Sequence, residues 1–236
     1  MTYKRIMLKL SGESLSKAGA GQGIHQPTLY ATAEHIAAVY REGVQIVIVV
    51  GGGNIWRYRD TKGTGIERTA SDAMGMLATI MNSVALQAAL TSFDVPTRVL
   101  SAIDVPQLAQ PYIRPVAIRH LEKNRVVICA GGTGNPYFTT DSAAALRGLE
   151  LHCEILLKAT NVDGIYDADP RTTPTAQLLT SLTFDQAIEK NLQVLDQSAF
   201  SLCREQKLPI RVFNASQPDA LLRAARGEDV GTLVHD

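Results

Sequence analysis

The chain has 236 residues, with 23 Lys and Arg balanced by 23 Asp and Glu and aromatic residues at only 6%. Zero net charge and few aromatic rings argue against nucleic-acid binding, which draws on excess positive charge and base stacking. The length suits one large α/β domain or two small ones, and no Ser/Pro-rich linker, charge run, low-complexity tract or repeat divides it, so a single domain over residues 1–236 is expected.

The first expected strand, Lys4–Leu10, runs directly into Leu10-Ser11-Gly12-Glu13. Its apolar run, bracketed by Lys4 and Lys9, has neither the h-region nor the cleavage site of a secretory signal. The glycine-rich stretch Lys17–Gly23 reads as a flexible loop before a helix over Thr28–Arg41, with Gly43 placed for a left-handed C-cap. The second strand, Gln45–Val50, lies in the longest apolar stretch, Val44–Val50, which Gln45 breaks. That stretch is far short of the roughly 20 residues of a membrane-spanning helix, so no transmembrane segment and a cytoplasmic location are expected. After the strand comes Gly51-Gly52-Gly53-Asn54.

A helix over Ala70–Thr91 carries Ala73, Met74, Leu77, Ile80, Met81, Val84, Ala85, Leu86 and Ala89 on more than one stripe, which suits burial in the core, with or without a subunit contact. Strands follow at Thr97–Leu100 and Arg125–Ala130, the second leading into Gly131-Gly132-Thr133-Gly134-Asn135. Thr140 or Asp141 is placed as the N-cap of a helix reaching Leu149. Beyond the strand Glu154–Lys158, a polar segment sets Asp163, Asp167 and Asp169 around Gly164. Helices over Phe184–Asn191, Asp196–Glu205 and Pro218–Arg226 surround a last strand, Ile210–Phe213, and Asp196 is placed as an N-cap or as an interface or stability residue. Strands apolar at successive positions, alternating with helices long enough for right-handed crossovers, predict a mostly parallel sheet with helices on both faces.

Cys129, Cys153 and Cys203 form no C-x-x-C pair and read as buried, reduced thiols, a catalytic cysteine being the minor alternative. The five histidines form no metal-ligand pattern, so any metal is expected to be held by carboxylates and substrate. The three glycine-rich segments each follow a predicted strand. In an open parallel sheet such turns gather at the carboxyl edge, where backbone N–H groups and helix N-termini receive phosphate. Singly each is a tight turn; three at one edge point to a ligand. None of the eight lysines follows a glycine, which removes a P-loop, and Trp56 and Tyr137 stand where a dinucleotide fingerprint needs its third glycine. No protein-kinase signature or G-x-S-x-G nucleophile elbow occurs.

Lys9 and Lys158 each fall near a strand end beside small or hydroxyl residues. A lysine there is either a solvated end with a snorkelling stem or a partner for an anion, and two at one edge suit a transferring phosphoryl group. Asp141 either caps its helix or also holds both ammonium groups.

The segments Lys9-Leu-Ser-Gly-Glu, Gly51-Gly-Gly-Asn, Asp72-Ala-Met-Gly-Met-Leu-Ala-Thr, Gly132-Thr-Gly-Asn-Pro-Tyr-Phe-Thr-Thr-Asp141, Leu157-Lys-Ala-Thr-Asn-Val-Asp-Gly-Ile-Tyr and Leu208-Pro-Ile-Arg-Val-Phe-Asn resemble the uridylate kinase branch of the amino acid kinase family, over Lys4 to the terminal Gly231-Thr-Leu-Val. The resemblance implies a three-layer αβα sandwich with a mostly parallel central sheet, transferring the γ-phosphoryl of MgATP to UMP. It implies that Lys9 and Lys158 stabilise the transferred group and that Asp141 organises them. Lys9, Leu10, Ser11, Gly12, Gly53, Arg57, Thr160, Tyr166 and Asp169 would bind ATP. Gly52, Arg57, Asp72 and the run Thr133, Gly134, Asn135, Pro136, Tyr137, Phe138, Thr139 and Thr140 would bind UMP. Mg²⁺ would arrive with ATP and take no protein side chain.

The resemblance further implies a homohexamer, with GTP activating and UTP inhibiting through a region near Lys17, Ala18, Gly19, Ala20, Gly21 and Gln22. Other readings are a kinase of the same family acting on acetylglutamate, aspartate or carbamate, and a non-catalytic UMP-sensing regulator.

Overall fold

The computed structural model describes residues 3–17, 22–58, 65–168, 172–173 and 175–236. Its strands are β1 (Arg5–Leu10), β2 (Gln45–Val50), β3 (Thr97–Ser101), β4 (Gln110–Pro111), β5 (Val126–Ala130), β6 (Ile155–Thr160), β7 (Ile165–Tyr166), β8 (Leu178–Leu179), β9 (Ser181–Thr183), β10 (Ile210–Asn214) and β11 (Thr232–His235). Among the described residues nine of them form one sheet in the order β4-β3-β5-β2-β1-β6-β10-β11-β9, while β7 and β8 pair separately. All neighbours in the large sheet are parallel except β10 and β11.

The helices are α1 (Gln26–Arg41), α2 (Arg68–Thr91), α3 (Arg114–Glu122), α4 (Thr140–Glu150), α5 (Phe184–Glu189), α6 (Gln197–Glu205) and α7 (Ala220–Ala225). They divide between the two faces of the sheet, as expected. Ile6, Leu8, Ile46, Ile48 and Leu157 pack against α1, α2 and α7. The alternate residues Met7, Val47, Val49 and Leu156 pack against α3 to α6. Because strand side chains alternate with period two, Lys9 and Lys158 share the second face with α4. The β1–β6 register sets them directly opposite each other.

The six expected strands are all present. The helix α3 is an addition: only Ala117 and Leu121 of it are buried, and Pro115 opens it, so its pattern reads as a loop. The edge strands β4 and β9 are two and three residues long, below any periodic signal. Thr139, rather than Thr140 or Asp141, caps α4, its hydroxyl accepting from the amides of Asp141 and Ser142. The last helix is shorter than expected and starts after Asp219, whose φ of 56° is left-handed. Gly43 has φ 80° and donates its N–H to the Tyr40 carbonyl at 3.0 Å, as a C-cap glycine does. The three cysteines are free and buried, and burial pushes the Cys129 and Cys203 thiols up to about 12.

The 24-residue α2 is apolar enough by length and composition to cross a membrane, as the core helix of a soluble protein can also be. Its composition has a local reason. Ile80, Leu86, Ala89 and Leu90 enter the core, while Met74, Leu77 and Met81 remain exposed.

At the end of the sheet, Gly231 has φ 63°, and a Cβ there would overlap the Val212 carbonyl oxygen and lie 2.9 Å from the Phe213 Cα. Only glycine lets the chain turn back against β10 here. Gly231→Ala is expected to cost about 3 kcal/mol and to lower the melting temperature by roughly 6 °C or more, read by circular dichroism. An unchanged melting curve would mean that the turn re-forms without strain.

Candidate active site

Two cations and one carboxylate form the centre. Asp141 Oδ1 lies 2.7 Å from Lys9 Nζ, and Oδ2 accepts from Lys158 Nζ at 3.0 Å. The Lys9 contact is a close, buried ion pair, and it draws the Asp141 carboxyl down together with Lys158. The three side chains are 12–18% exposed. Burial alone would push Asp141 up, but the two ammonium groups outweigh it and hold the carboxyl below its ordinary value. Burial, only partly offset by Asp141, pushes Lys158 down. Asp141 is therefore a carboxylate between two cations as well as a first-turn residue.

The helix carrying Asp141 is secured from outside. Thr139 Oγ1 donates to Asp196, which also accepts from Ser142 Oγ at 3.1 Å, Ser198 Oγ at 2.6 Å and the Ala199 amide at 2.9 Å. Burial would raise the Asp196 carboxyl, and these hydrogen bonds reverse that. Asp196 is the N-cap of α6, as expected, and it also ties α6 to the start of α4. Two residues earlier, the Val194 carbonyl accepts from Lys158 Nζ at 2.8 Å.

The glycine turns meet at the carboxyl edge of β1, β2 and β5. A Cβ on Gly12 would come within 2.5–2.8 Å of Asn54 Oδ1, the Gly51 carbonyl and the Gly53 amide, so the first two turns are in backbone contact. Asn54 and Asn82 exchange amide hydrogen bonds at 3.1 and 2.7 Å, and Asn82 Nδ2 also reaches the Gly51 carbonyl at 2.7 Å. Asn54 Nδ2 reaches the Gly23 carbonyl at 2.9 Å. The third turn is bound to the same helix by Thr79 Oγ1, which accepts from the Gly131 amide at 2.9 Å. Arg57 bridges the first two turns, donating to the Gly53 carbonyl and to Glu13.

A cleft of about 370 Å³ opens beside these turns. Of the expected acceptor residues, Gly52, Arg57, Asp72, Thr133, Asn135, Phe138, Thr139 and Thr140 line it, together with Gly53. Gly134, Pro136 and Tyr137 do not. Gly134 turns toward Ala102, and the Tyr137 amide donates to Asp72 Oδ2 at 2.8 Å. A Cβ on Gly52 would press against the Gly75 carbonyl at 2.7 Å and Ala78 Cβ at 2.9 Å, so this glycine lets the turn lie on α2.

On the other side of the lysines, Thr160 ends β6 and donates to the carbonyls of Val162 and Phe213. Asp163 accepts from Asn214 and Gln217, each at 2.8 Å, and faces the Tyr166 hydroxyl at 3.5 Å. Ser11 caps the short turn Gly12–Leu15, and the Leu10 side chain is buried in the core while its carbonyl accepts from the Gly51 amide at 2.9 Å. Asp169, Ala18, Gly19, Ala20 and Gly21 lie outside the described residues, and Lys17 and Gln22 are exposed. No group of three His, Cys, Asp or Glu side chains converges among the described residues. A hollow of about 330 Å³ at the opposite edge, between Tyr40, Gln45 and Arg125, contains none of the expected residues.

Sequence reasoning passed over Asn54, Thr79 and Asn82 as partners of the turns. The available signal was polarity in the wrong place. Thr79 and Asn82 interrupt the apolar stripes of α2, and a polar side chain in a buried stripe requires a partner.

The sequence profile of the amino acid kinase family matches residues 4–214. Three solved structures share the architecture. UMP kinase from Bacillus anthracis is 37% identical with a TM-score of 0.97, covering 100% of this chain and 97% of its own. UMP kinase from Ureaplasma parvum is 38% identical with a TM-score of 0.93, covering 100% of both chains. Uridylate kinase from Archaeoglobus fulgidus is 28% identical with a TM-score of 0.75, covering 99% of this chain and 100% of its own.

Two outcomes follow from the geometry. Asp141→Asn leaves two ammonium groups without a counter-charge and is expected to cost about 3–5 kcal/mol in chemical denaturation. Because the folded Asp141 carboxyl sits below its unfolded value, its contribution is complete above the unfolded value near about 4 and drains as pH falls through the folded one. The acid limb of stability against pH should therefore be shallower in Asp141→Asn; parallel limbs would contradict the assignment. Asn82→Ala removes the donors to Gly51 and Asn54 and should lower stability by about 1–3 kcal/mol, measured by urea unfolding.

Proposed function

The chain belongs to the amino acid kinase family, and on that premise we propose that it is an ATP-dependent UMP kinase, transferring the γ-phosphoryl of MgATP to UMP to give UDP and ADP. The observation that carries this reading is the pairing of Lys9 and Lys158 on adjacent strands, joined by Asp141, between three glycine turns and a cleft ending at Asp72. Similarity over the full length to structures described as UMP kinases supports the choice of acceptor.

In-line transfer spreads negative charge over the phosphoryl oxygens, and two fixed ammonium groups in a water-poor site stabilise that charge without reorganising. Asp141 keeps both cations in place. Lys9, Gly12, Gly53 and Arg57 receive the ATP phosphates, with the backbone of Leu10 and Ser11, while Thr160, Tyr166 and Asp169 border the adenosine. Mg²⁺ bound with the nucleotide would supply further charge neutralisation there and would be held by the phosphates, since no cluster of acidic side chains converges among the described residues. Asp72 accepts from the UMP ribose, and Thr133, Asn135 and Thr140 offer both donors and acceptors to uracil. A general base is unnecessary, since a phosphate monoester with a second pKa near about 6 is already mostly dianionic at neutral pH.

The reading extends to one domain over residues 1–236, a cytoplasmic location and a homohexamer. The exposed Met74, Leu77 and Met81 of α2 offer apolar surface for a subunit contact. Activation by GTP and inhibition by UTP complete the reading.

A coupled ADP-release assay over UMP, CMP, dTMP, acetylglutamate, aspartate and carbamate, with and without GTP, tests it. UMP should be the strongly preferred acceptor. Turnover of an amino acid but not of UMP would overturn the reading, as would calorimetric UMP binding without turnover in saturating MgATP. Lys9→Ala should lower kcat by about 100-fold or more while UMP affinity stays within about threefold.

A further inference from the structure

We propose that Arg68 is a positioning residue for the acceptor ribose and that, by fixing Asp72, it makes the site prefer a ribonucleoside over a 2′-deoxyribonucleoside monophosphate. The inference rests on the reading of Asp72 as the ribose acceptor.

Arg68 is the first residue of α2, where the helix dipole disfavours a cation. Helix stability therefore gives no reason for an arginine there; the cleft does. Arg68 Nε donates to both Asp72 oxygens, at 2.9 Å to Oδ1 and 2.8 Å to Oδ2. Its guanidinium carbon lies 4.4 Å from the Tyr58 ring centroid and 5.7 Å from that of Tyr137. An exposed ion pair four residues apart on a helix is ordinarily worth little because both side chains lose freedom in forming it. Here the two rings already confine the planar guanidinium, so little freedom remains to be lost.

The result is a carboxylate with one orientation. Oδ2 receives Arg68 and the Tyr137 amide, whereas Oδ1 receives only Arg68 among the described residues. A carboxylate oxygen accommodates about two donors, so Oδ1 retains one place. Asp72 and Arg68 both line the cleft. An ionised carboxylate can only accept, so the complementary ligand group is a donor, and on the sugar of a nucleoside monophosphate that donor is a hydroxyl. A ribose 2′-hydroxyl satisfies Oδ1 and a 2′-deoxyribose leaves it short, and a site built to hydrogen-bond a hydroxyl discriminates strongly against its absence.

The test is steady-state kinetics of the full chain and of Arg68→Met and Arg68→Lys, with UMP and 2′-deoxy-UMP as acceptors. The parent should favour UMP by about tenfold or more in kcat/KM, the worth of one hydrogen bond to a charged group. In Arg68→Met that preference should fall toward unity. The loss should lie mainly in KM for UMP, with KM for ATP moving less than about twofold. Arg68→Lys, which keeps the charge but not the planar stack, should fall between. A parent that phosphorylates UMP without discriminating, or an Arg68→Met enzyme that keeps the parent's preference, overturns this inference and leaves the proposed activity standing. A parent inactive on UMP overturns both. Equal losses in both acceptors and in ATP affinity would assign Arg68 a purely structural role and likewise overturn the proposal.

Discussion

Two ammonium groups held side by side out of water require a carboxylate between them, and the rest of the site is arranged to keep one there. Removing an ion from water costs several kcal/mol even after relaxation, so a lone buried lysine tends to lose its proton. The burial that pushes Lys158 down is that tendency, and Asp141 opposes it. One carboxylate serving both lysines must sit within a few tenths of an ångström of its position, which places a demand on all of α4. The Thr139 cap, the Asp196 cluster and the Val194 carbonyl answer that demand from outside the sheet.

A second framework holds the opposite side. The helix α2 binds the second turn through the buried Asn82, the third through the buried Thr79, and the loop before Asp141 through Asp72 at the cleft and the Tyr137 amide. Trp56 Nε1 donates to Ser71 on the same helix at 2.9 Å. These polar contacts run from Ser71 to Asn82 on one rigid element, so the turns keep their mutual spacing without depending on their own stiffness. Donor and acceptor groups are thereby referred to a common support. That matters for the proposed reaction, whose rate would depend on bringing two phosphates into line.

Much of this was legible before any coordinates. Runs such as Gln45–Val50 and Arg125–Ala130 carry their own signal because strands buried on both faces are continuously apolar. The three glycine turns, Lys9, Lys158 and Asp141 could be named because each follows, opens or lies near the end of a strongly patterned element. What escaped had little local pattern. The helix α3 buries only Ala117 and Leu121, and β11 is four residues long with Thr232 as one of its inward positions. The Asn54–Asn82 pair spans 28 residues and the Thr139–Asp196 contact spans 57. Composition and periodicity carry no information about such pairings. Arg68 escaped for a related reason, since its purpose depends on two rings that only the folded chain brings beside it.

The pairing of Lys9 with Lys158 across β1 and β6 has an implication for how this site can diversify. Their separation is inherited from the spacing of hydrogen-bonded strands, about 4.8 Å in any parallel sheet, and not from a loop that mutation could lengthen or shorten. The sheet thus acts as a gauge that cannot be retuned gradually, because a slip of one residue in either strand would send its lysine to the opposite face. Change is free only above the gauge, in the turns and in the cleft wall. A scaffold of this kind can exchange one phosphoryl acceptor for another while the chemistry of transfer stays constant.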